Sequence, residues 1–237
     1  MRLLIGIMIL VLSGCSEKDL REAYDVINEN VAEAPLTQQE VVAALKDSLS
    51  KGITSGAVTA SRKDGYLGNP RLKIEFPTDM IKVEKTLRRI GFGREIDRFV
   101  KQLNRSAEKA AARARPIFIR AITSMTIYDA MEILNGTSDA ATQYLKRTTG
   151  NELRAQFLPI VRDTLGETSA TRYYGDIVKQ YNSLPLVSDV DPDLDEYATD
   201  KAVDGLFVLI AEEEANIRAN PAARTTRLLQ RVFGSLD

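Results

Sequence analysis

Apolar residues recur at intervals of three and four positions through most of the chain after residue 36. This is the spacing of an amphipathic helix, which buries one face and leaves the other in water. Polar stretches between the helical patterns are short, and none is a linker rich in Gly, Ser or Pro. We therefore predict an all-α fold, with a single multi-helix domain over residues 36–237. The longest regular pattern runs through Ile96, Phe99, Val100, Leu103, Ala107, Ala110, Ala114 and Ile117.

Proline and glycine divide this helical pattern. Pro116 is predicted to kink or break the longest helix, because its ring opposes the carbonyl four residues earlier. A later helix is predicted to end near Thr149 and the next to start at Asn151, with Pro159 distorting it. Residues 91–93, Gly-Phe-Gly, have no strand pattern before them, so they predict a turn that ends a helix rather than a phosphate-binding loop.

One stretch has a different period. Leu72, Ile74 and Phe76 alternate with polar residues between two prolines, and alternation is typical of a half-buried strand. The fold is therefore expected to contain at most one small β-hairpin, near residues 66–77.

The N-terminus has the anatomy of a signal peptide. Arg2 supplies a positive charge, residues 3–12 are apolar, and small residues precede Cys15. A membrane-spanning helix needs about 20 apolar residues, so this run is too short to span. We predict that residues 1–14 are removed and that residues 15–35 form a tether, either a short amphipathic helix or a half-ordered spacer.

The cleavage region, residues 12–15 (Leu-Ser-Gly-Cys), resembles the lipobox of bacterial lipoproteins. The resemblance implies a diacylglycerol thioether on Cys15, cleavage before this residue, and usually a third acyl chain on the new amine. Stable anchoring takes more than one acyl chain, and a diacylated cysteine supplies two. Ser16, where Asp would resemble an inner-membrane retention signal, favours the periplasmic face of the outer membrane in a host with two membranes.

Composition excludes several functional classes. The chain has 32 basic and 33 acidic residues, so it lacks the basic excess of a nucleic-acid-binding protein. It has no histidine and a single cysteine, which removes Ser-His-Asp catalysis, imidazole bases and cysteine-ligated zinc. We expect no cofactor and no nucleic-acid partner, and composition favours a domain that is not an enzyme without deciding the question.

Polar residues beside the apolar faces of two predicted helices, and one at the start of the last helix, form a candidate polar cluster. Two interpretations stay open: a partly buried binding site, or an internal network of ion pairs and helix caps, which we favour. In either case Glu214 and Arg218 are spaced as an i,i+4 ion pair. The candidate residues are Asn104, Glu108, Glu213, Glu214, Arg218 and Arg224.

An acidic loop offers the one candidate metal site. Asp189, Asp191 and Asp193 alternate, and Asp200 stands where a twelve-residue calcium loop would end. The sixth position of such a loop requires glycine, but here it is Leu194. We therefore favour no metal, with Asp191 or Asp193 capping the helix that follows.

An ordered set of short strings from about residue 36 to residue 234 resembles a bacterial family catalogued as domain of unknown function 4197. The resemblance implies a mainly helical lipoprotein or periplasmic domain, and it implies no activity. The strings are 63–66 (KDGY), 104–108 (NRSAE), 114–118 (ARPIF), 125–130 (MTIYDA), 140–142 (AAT), 204–207 (DGLF), 212–214 (EEE), 221–226 (PAARTT) and 232–234 (VFG).

These observations predict an envelope lipoprotein held to a membrane through Cys15, with a non-catalytic helical domain that binds an envelope protein or a lipid ligand. The alternative is a carrier of a lipid or other apolar ligand in a cavity between helices. A carboxylate-dependent hydrolase is the third hypothesis, since paired carboxylates catalyse hydrolysis without histidine.

Overall fold

The computed structural model describes residues 37–89, 91–166, 174–175, 193–220 and 226–234. From Gln38 onward these residues belong to one compact unit. They form eight α-helices, and none of them is in a β-strand. The prediction of an all-α fold is confirmed. Across these same residues, no helix combines the length and the apolar character that a membrane span requires.

The helices are numbered in chain order. Their bounds are α1 Gln38–Ser61, α2 Ile81–Arg89 after a 3₁₀ turn Thr78–Met80, α3 Gly93–Ala111, α4 Ala114–Ser124, α5 Ile127–Asn135, α6 Ala140–Gly166, α7 Leu194–Ala219 and α8 Arg227–Gly234.

The core lies around α7, which packs against α1, α3 and α6. Helix α6 also packs against α3 and α4, so the long helices share one apolar interior. Small residues on α3 and α7 let the backbones approach closely, and larger side chains fill the space between them. The fully buried small residues are Ala107, Ala110, Ala111, Ala198 and Ala202.

The predicted break at Pro116 is confirmed. Helix α3 ends at Ala111 and α4 begins at Ala114, so Pro116 is the third residue of a new helix. The first four N–H groups of a helix have no acceptor within it, and the missing N–H of proline costs nothing there. The turn predicted at residues 91–93 is also confirmed, because Gly91 adopts a φ of 101° between α2 and α3.

The predicted division near Thr149 is wrong, since α6 is a single helix of 27 residues that contains Gly150 and Pro159. Glycine in a helix interior costs only about 1 kcal/mol relative to alanine. Four buried side chains line one face of α6 across the glycine, and their burial outweighs this local preference. They are Leu145, Thr149, Leu153 and Phe157.

The strand predicted near residues 66–77 is also absent. Residues 73–75 carry no helix, strand or turn assignment, and the side chain of Asn104 takes the place of a second strand. Asn104 accepts the N–H of Ile74 at 2.8 Å and donates to the carbonyl of Ile74 at 2.8 Å. The alternating apolar residues are buried, as expected, but against helices.

Gly205 of α7 allows close contact with the ring of Tyr66. A Cβ atom at this position would lie 2.7 Å from Cε1 of Tyr66, a fully buried residue. The ring is fixed, because its hydroxyl donates to the carbonyl of Ala202 at 2.5 Å.

We predict that Gly205→Ala lowers the free energy of unfolding by about 1–3 kcal/mol, measured by urea denaturation.

Gly150→Ala is the matched control, because nothing lies within 4 Å of a Cβ atom at this position in α6. It should raise the free energy of unfolding by about 0.5–1 kcal/mol, through helix propensity alone. Equal effects of the two substitutions would contradict the proposed packing of Tyr66 on Gly205.

Candidate functional site

Two carboxylates, Glu108 on α3 and Glu214 on α7, are buried in the domain, with exposed fractions of 4% and 6%. A buried charge is strongly destabilising unless it is paired and hydrogen-bonded. The partners of these two groups therefore decide whether each is available to a ligand.

Glu108 holds the loop that follows α1. Its Oε1 atom accepts the N–H groups of Tyr66 and Leu67, each at 3.2 Å. Its Oε2 atom accepts from Arg105 at 2.5 Å, and Arg105 also pairs with Asp64 of the loop at 2.7 Å. Both carboxylate oxygens are thus bound within the domain.

The loop held by Glu108 contains a turn at residues 63–65. Asp64 adopts a φ of 66°, and a Cβ atom on Gly65 would lie 2.5 Å from the carbonyl oxygen of Ala60. Glycine is therefore required where the loop turns back over the end of α1. Burial, and secondarily the charge of Glu108, raises the pKa of the Tyr66 hydroxyl far above its usual range. The hydroxyl consequently stays protonated and remains a donor to α7.

Asn104 lies one helical turn before Glu108 and has the same kind of role. Besides its two bonds to Ile74, it donates to the carbonyl of Val100 at 2.7 Å. The amide and the carboxylate together hold two loop segments against α3. A buried backbone group left without a partner costs about 1–3 kcal/mol, so this arrangement fixes the path of the chain between α1 and α2.

Glu214 caps the N-terminus of α6 from a different helix. Its Oε1 atom accepts the N–H of Ala141 at 3.0 Å, and its Oε2 atom accepts the N–H and the hydroxyl of Thr142, each at 2.8 Å. These N–H groups belong to the first turn of α6, where no carbonyl of the helix can reach them. A negative charge there also interacts favourably with the helix dipole.

Arg218 lies one turn after Glu214 on α7, and the predicted i,i+4 pair is present at 2.9 Å. The guanidinium also donates to the carbonyl of Ile133, near the end of α5, at 2.9 Å. A cation at the C-terminus of one helix and an anion at the N-terminus of the next are both favourable. The pair therefore holds the turn between α5 and α6 from the side.

Glu213, beside Glu214, lies against α1. Its Cγ atom would be 2.6 Å from a Cβ atom on Gly52, so the absence of a side chain there admits the stem of Glu213. Arg224 and Cys15 lie outside the described residues. The predicted cluster is therefore two separate pairs. Glu214 and Arg218 hold the turn between α5 and α6. Asn104 and Glu108 hold the chain between α1 and α2.

The predicted acidic loop is described only in part. Asp193 accepts the N–H groups of Asp195 and Glu196 at 3.1 Å and so caps α7. Asp200 pairs with Arg154 of α6 at 2.6 Å, while Asp189 and Asp191 lie outside the described residues. In the described part of the chain, no three acidic, histidine or cysteine side chains are grouped so that they could hold a metal ion.

Two surface grooves were not predicted from the sequence. One, with a volume of about 510 Å³, lies between α1 and α4, and we call it the α1–α4 groove. The other, of about 330 Å³, lies between residues 71–78 and α7. The sequence signal for the α1–α4 groove is the set of Ser and Thr residues on the outer face of α1. An analysis of apolar spacing does not detect it, because these residues are polar. The side chains that define the α1–α4 groove are Lys51, Thr54, Ser55, Thr59, Arg62 and Arg115.

Fold and site together define a helical domain whose loops and helix ends are held by buried side chains of other helices. The model of the family described as protein of unknown function (DUF4197) matches residues 35–234, and the chain belongs to this family. The resemblance seen in the short strings is thereby confirmed. Neither a curated protein nor a solved structure matches the chain.

The role of Glu214 is tested by Glu214→Gln. The substitution removes the charge and turns an amide NH₂ toward backbone N–H groups or Arg218. We expect the free energy of unfolding to fall by about 2–4 kcal/mol, because a buried charge loses its partner.

Glu213→Gln is the neighbouring control. It keeps the side-chain stem over Gly52, and we expect a change within about 0.5 kcal/mol. Thermal and urea denaturation of both variants should be compared with those of the unchanged chain. A larger loss for the Glu213 variant would show that the capping role has been assigned to the wrong residue.

Proposed function

We propose that this protein is a bacterial envelope lipoprotein, anchored through acylated Cys15, whose helical domain is a non-catalytic binding module. One observation carries the proposal: the sole cysteine of the chain follows an apolar run and two small residues, as lipid attachment requires. The position of Cys15 next to a predicted cleavage site accounts for both export and anchoring.

The occupancy of the buried carboxylates supports a non-catalytic role. A general acid or base needs an atom within hydrogen-bond reach of a bound substrate. The oxygens of Glu108 and Glu214 instead accept backbone N–H groups and arginine donors. A carboxylate-dependent hydrolase is therefore less well supported than a binding module.

The character of the two grooves favours external binding over carriage of an apolar cargo. A carrier would hold its ligand in a pocket lined mostly by apolar side chains. Both grooves are open at the surface rather than enclosed, and charged and hydroxyl-bearing side chains stand among the apolar atoms that form most of their walls. Such open surfaces suit a partner that is contacted at the face of the domain and not enclosed within it.

For location, we propose the outer membrane, with the domain facing the periplasm. The residue after the anchor carries this part of the proposal, because Ser16 lacks the acidic side chain that resembles an inner-membrane retention signal. Two acyl chains on Cys15 would hold the domain stably at the membrane surface.

The anchoring test uses the full-length chain in a Gram-negative host. Mass analysis of the N-terminal peptide should show that the mature chain starts at Cys15 and carries acyl mass, because the thiol is the attachment point. Cys15→Ser should lose that mass and fail to float with membranes, whereas Ser16→Ala should retain both properties. Unchanged mass and flotation of the Cys15 variant would overturn the proposed anchor.

The location is tested by Ser16→Asp. We expect this variant to move from the outer-membrane fraction to the inner-membrane fraction on a density gradient, with its acyl mass retained. Ser16→Ala should stay in the outer-membrane fraction. If the unchanged chain already fractionates with the inner membrane, the proposed location is wrong although the anchor stands.

A further inference from the structure

The outer face of α1 carries hydroxyl groups that the fold does not use. Ser and Thr have lower helix propensity than Ala, Lys or Glu, because they lose side-chain freedom or compete for backbone hydrogen bonds. Ser55 and Thr59 are exposed, and in the described part of the chain their hydroxyls have no hydrogen-bond partner. Ser61, by comparison, bonds back to the carbonyl of Val58 at 3.2 Å. Residues that weaken a helix without packing are expected where a surface binds something.

Positive charge lies beside these hydroxyls. Lys51 of α1, Arg62 directly after α1 and Arg115 of α4 line the α1–α4 groove, and no carboxylate lines it. Lys51 pairs with Asp47 at 2.8 Å, which leaves the two arginines to set the charge of the groove. The Nε of Arg115 donates to the hydroxyl of Thr54 at 3.4 Å, so α1 and α4 are linked across the groove.

The start of α4 adds to the positive electrostatic potential of the α1–α4 groove. Its N-cap residue, Arg113, makes no side-chain cap, and the first turn of α4 carries no acidic residue, so the positive end of the helix dipole is not neutralised from within α4. Arg115 is the second residue of α4, which places its side chain beside that helix end.

The second groove provides an internal comparison. It contains Lys73 and Lys201, but also Glu75 and Asp204, and Lys73 pairs with Glu75 at 2.7 Å. Mixed charge of this kind does not select an anion. The lining of the α1–α4 groove, which has cations and no carboxylate, therefore differs from that of the second groove.

Guanidinium and hydroxyl groups together match the tetrahedral oxygens of a phosphate, since arginine donates in a planar fork and hydroxyls supply single donors. Val58, 42% exposed, and Ile119 add an apolar strip along the same groove. A phosphate next to an apolar segment is the chemistry of a glycerophospholipid, in which glycerol joins the headgroup phosphate to the acyl chains.

We propose that the α1–α4 groove binds the phosphate of an anionic phospholipid headgroup. The inference rests on the proposed function for its source of lipid, because an acylated Cys15 would keep the domain at a membrane. Cys15 and Thr37 are 22 positions apart (37 − 15), a stretch that spans at most about 75 Å. The anchor would therefore keep α1 within reach of headgroups.

The test uses the full-length chain purified in a nonionic detergent that contains equal amounts of phosphatidylglycerol and phosphatidylcholine. Native mass spectrometry should show one preferentially bound phosphatidylglycerol. The double variant Arg62→Gln with Arg115→Gln should bind it about tenfold more weakly, through loss of two charged donors. Ser55→Ala with Thr59→Ala should weaken binding by a smaller factor and leave the charge unchanged.

The charge-matched control is Arg98→Gln with Lys101→Gln, two exposed cations on α3. It should bind phosphatidylglycerol as the unchanged chain does, and all variants should keep their melting temperatures. Equal loss in the groove variant and the control, or equal binding of the two lipids, would overturn the proposal. Displacement of the lipid by an equal concentration of glycerol phosphate would overturn the lipid assignment in favour of a soluble phosphate.

The same samples separate this inference from the proposed function. The mass of the N-terminal peptide reports acylation of Cys15, and binding in detergent does not require the anchor. A chain without acyl mass that still selects phosphatidylglycerol would refute only the anchor. An acylated chain that shows no selection would refute only the groove.

Discussion

The carboxylate of Glu214, buried against the first turn of α6, is the interaction on which the helical arrangement most depends. Helix α6 packs on α3, α4 and α7, and its N-terminal N–H groups lie where water does not reach them freely. Without an acceptor each such group would destabilise the fold by about 1–3 kcal/mol. Arg218 balances the charge of Glu214 and reaches the end of α5, so two residues of α7 position three helices.

Buried backbone groups that need a hydrogen-bond partner also explain the path of the loop between α1 and α2. Glu108 and Asn104 supply to the loop backbone the partners that a strand would supply in a sheet. Tyr66 then fills the space above Gly205 and bonds to α7, which joins the loop to the core. The buried side chains of Asn104, Glu108 and Glu214 are thus engaged in supporting the fold. A binding surface is therefore expected on the outside of the domain.

On the outside, the α1–α4 groove is where local sequence preference and the fold disagree. Hydroxyl residues occupy exposed helix positions that favour Ala, Lys or Glu, and two arginines lie beside them without a carboxylate in the lining. Proteins keep such departures mainly where a site needs them. A lipid-anchored domain with a cationic face would meet its membrane through two contacts, the acyl chains and the headgroup site.

The sequence by itself determined the all-α class, the break at Pro116, the turn at Gly91 and the pairing of Glu214 with Arg218, because each follows from spacing within a few residues. It also located Asn104 and Glu108 as unusual polar residues on an apolar face. Only the tertiary structure decided that α6 continues through Gly150, since burial against α3 and α7 outweighs a local preference. It likewise decided that Asn104 replaces a strand and that α1 and α4 form a groove. Those outcomes depend on contacts between residues 30 or more positions apart. The spacing of apolar residues within one helix does not predict such contacts.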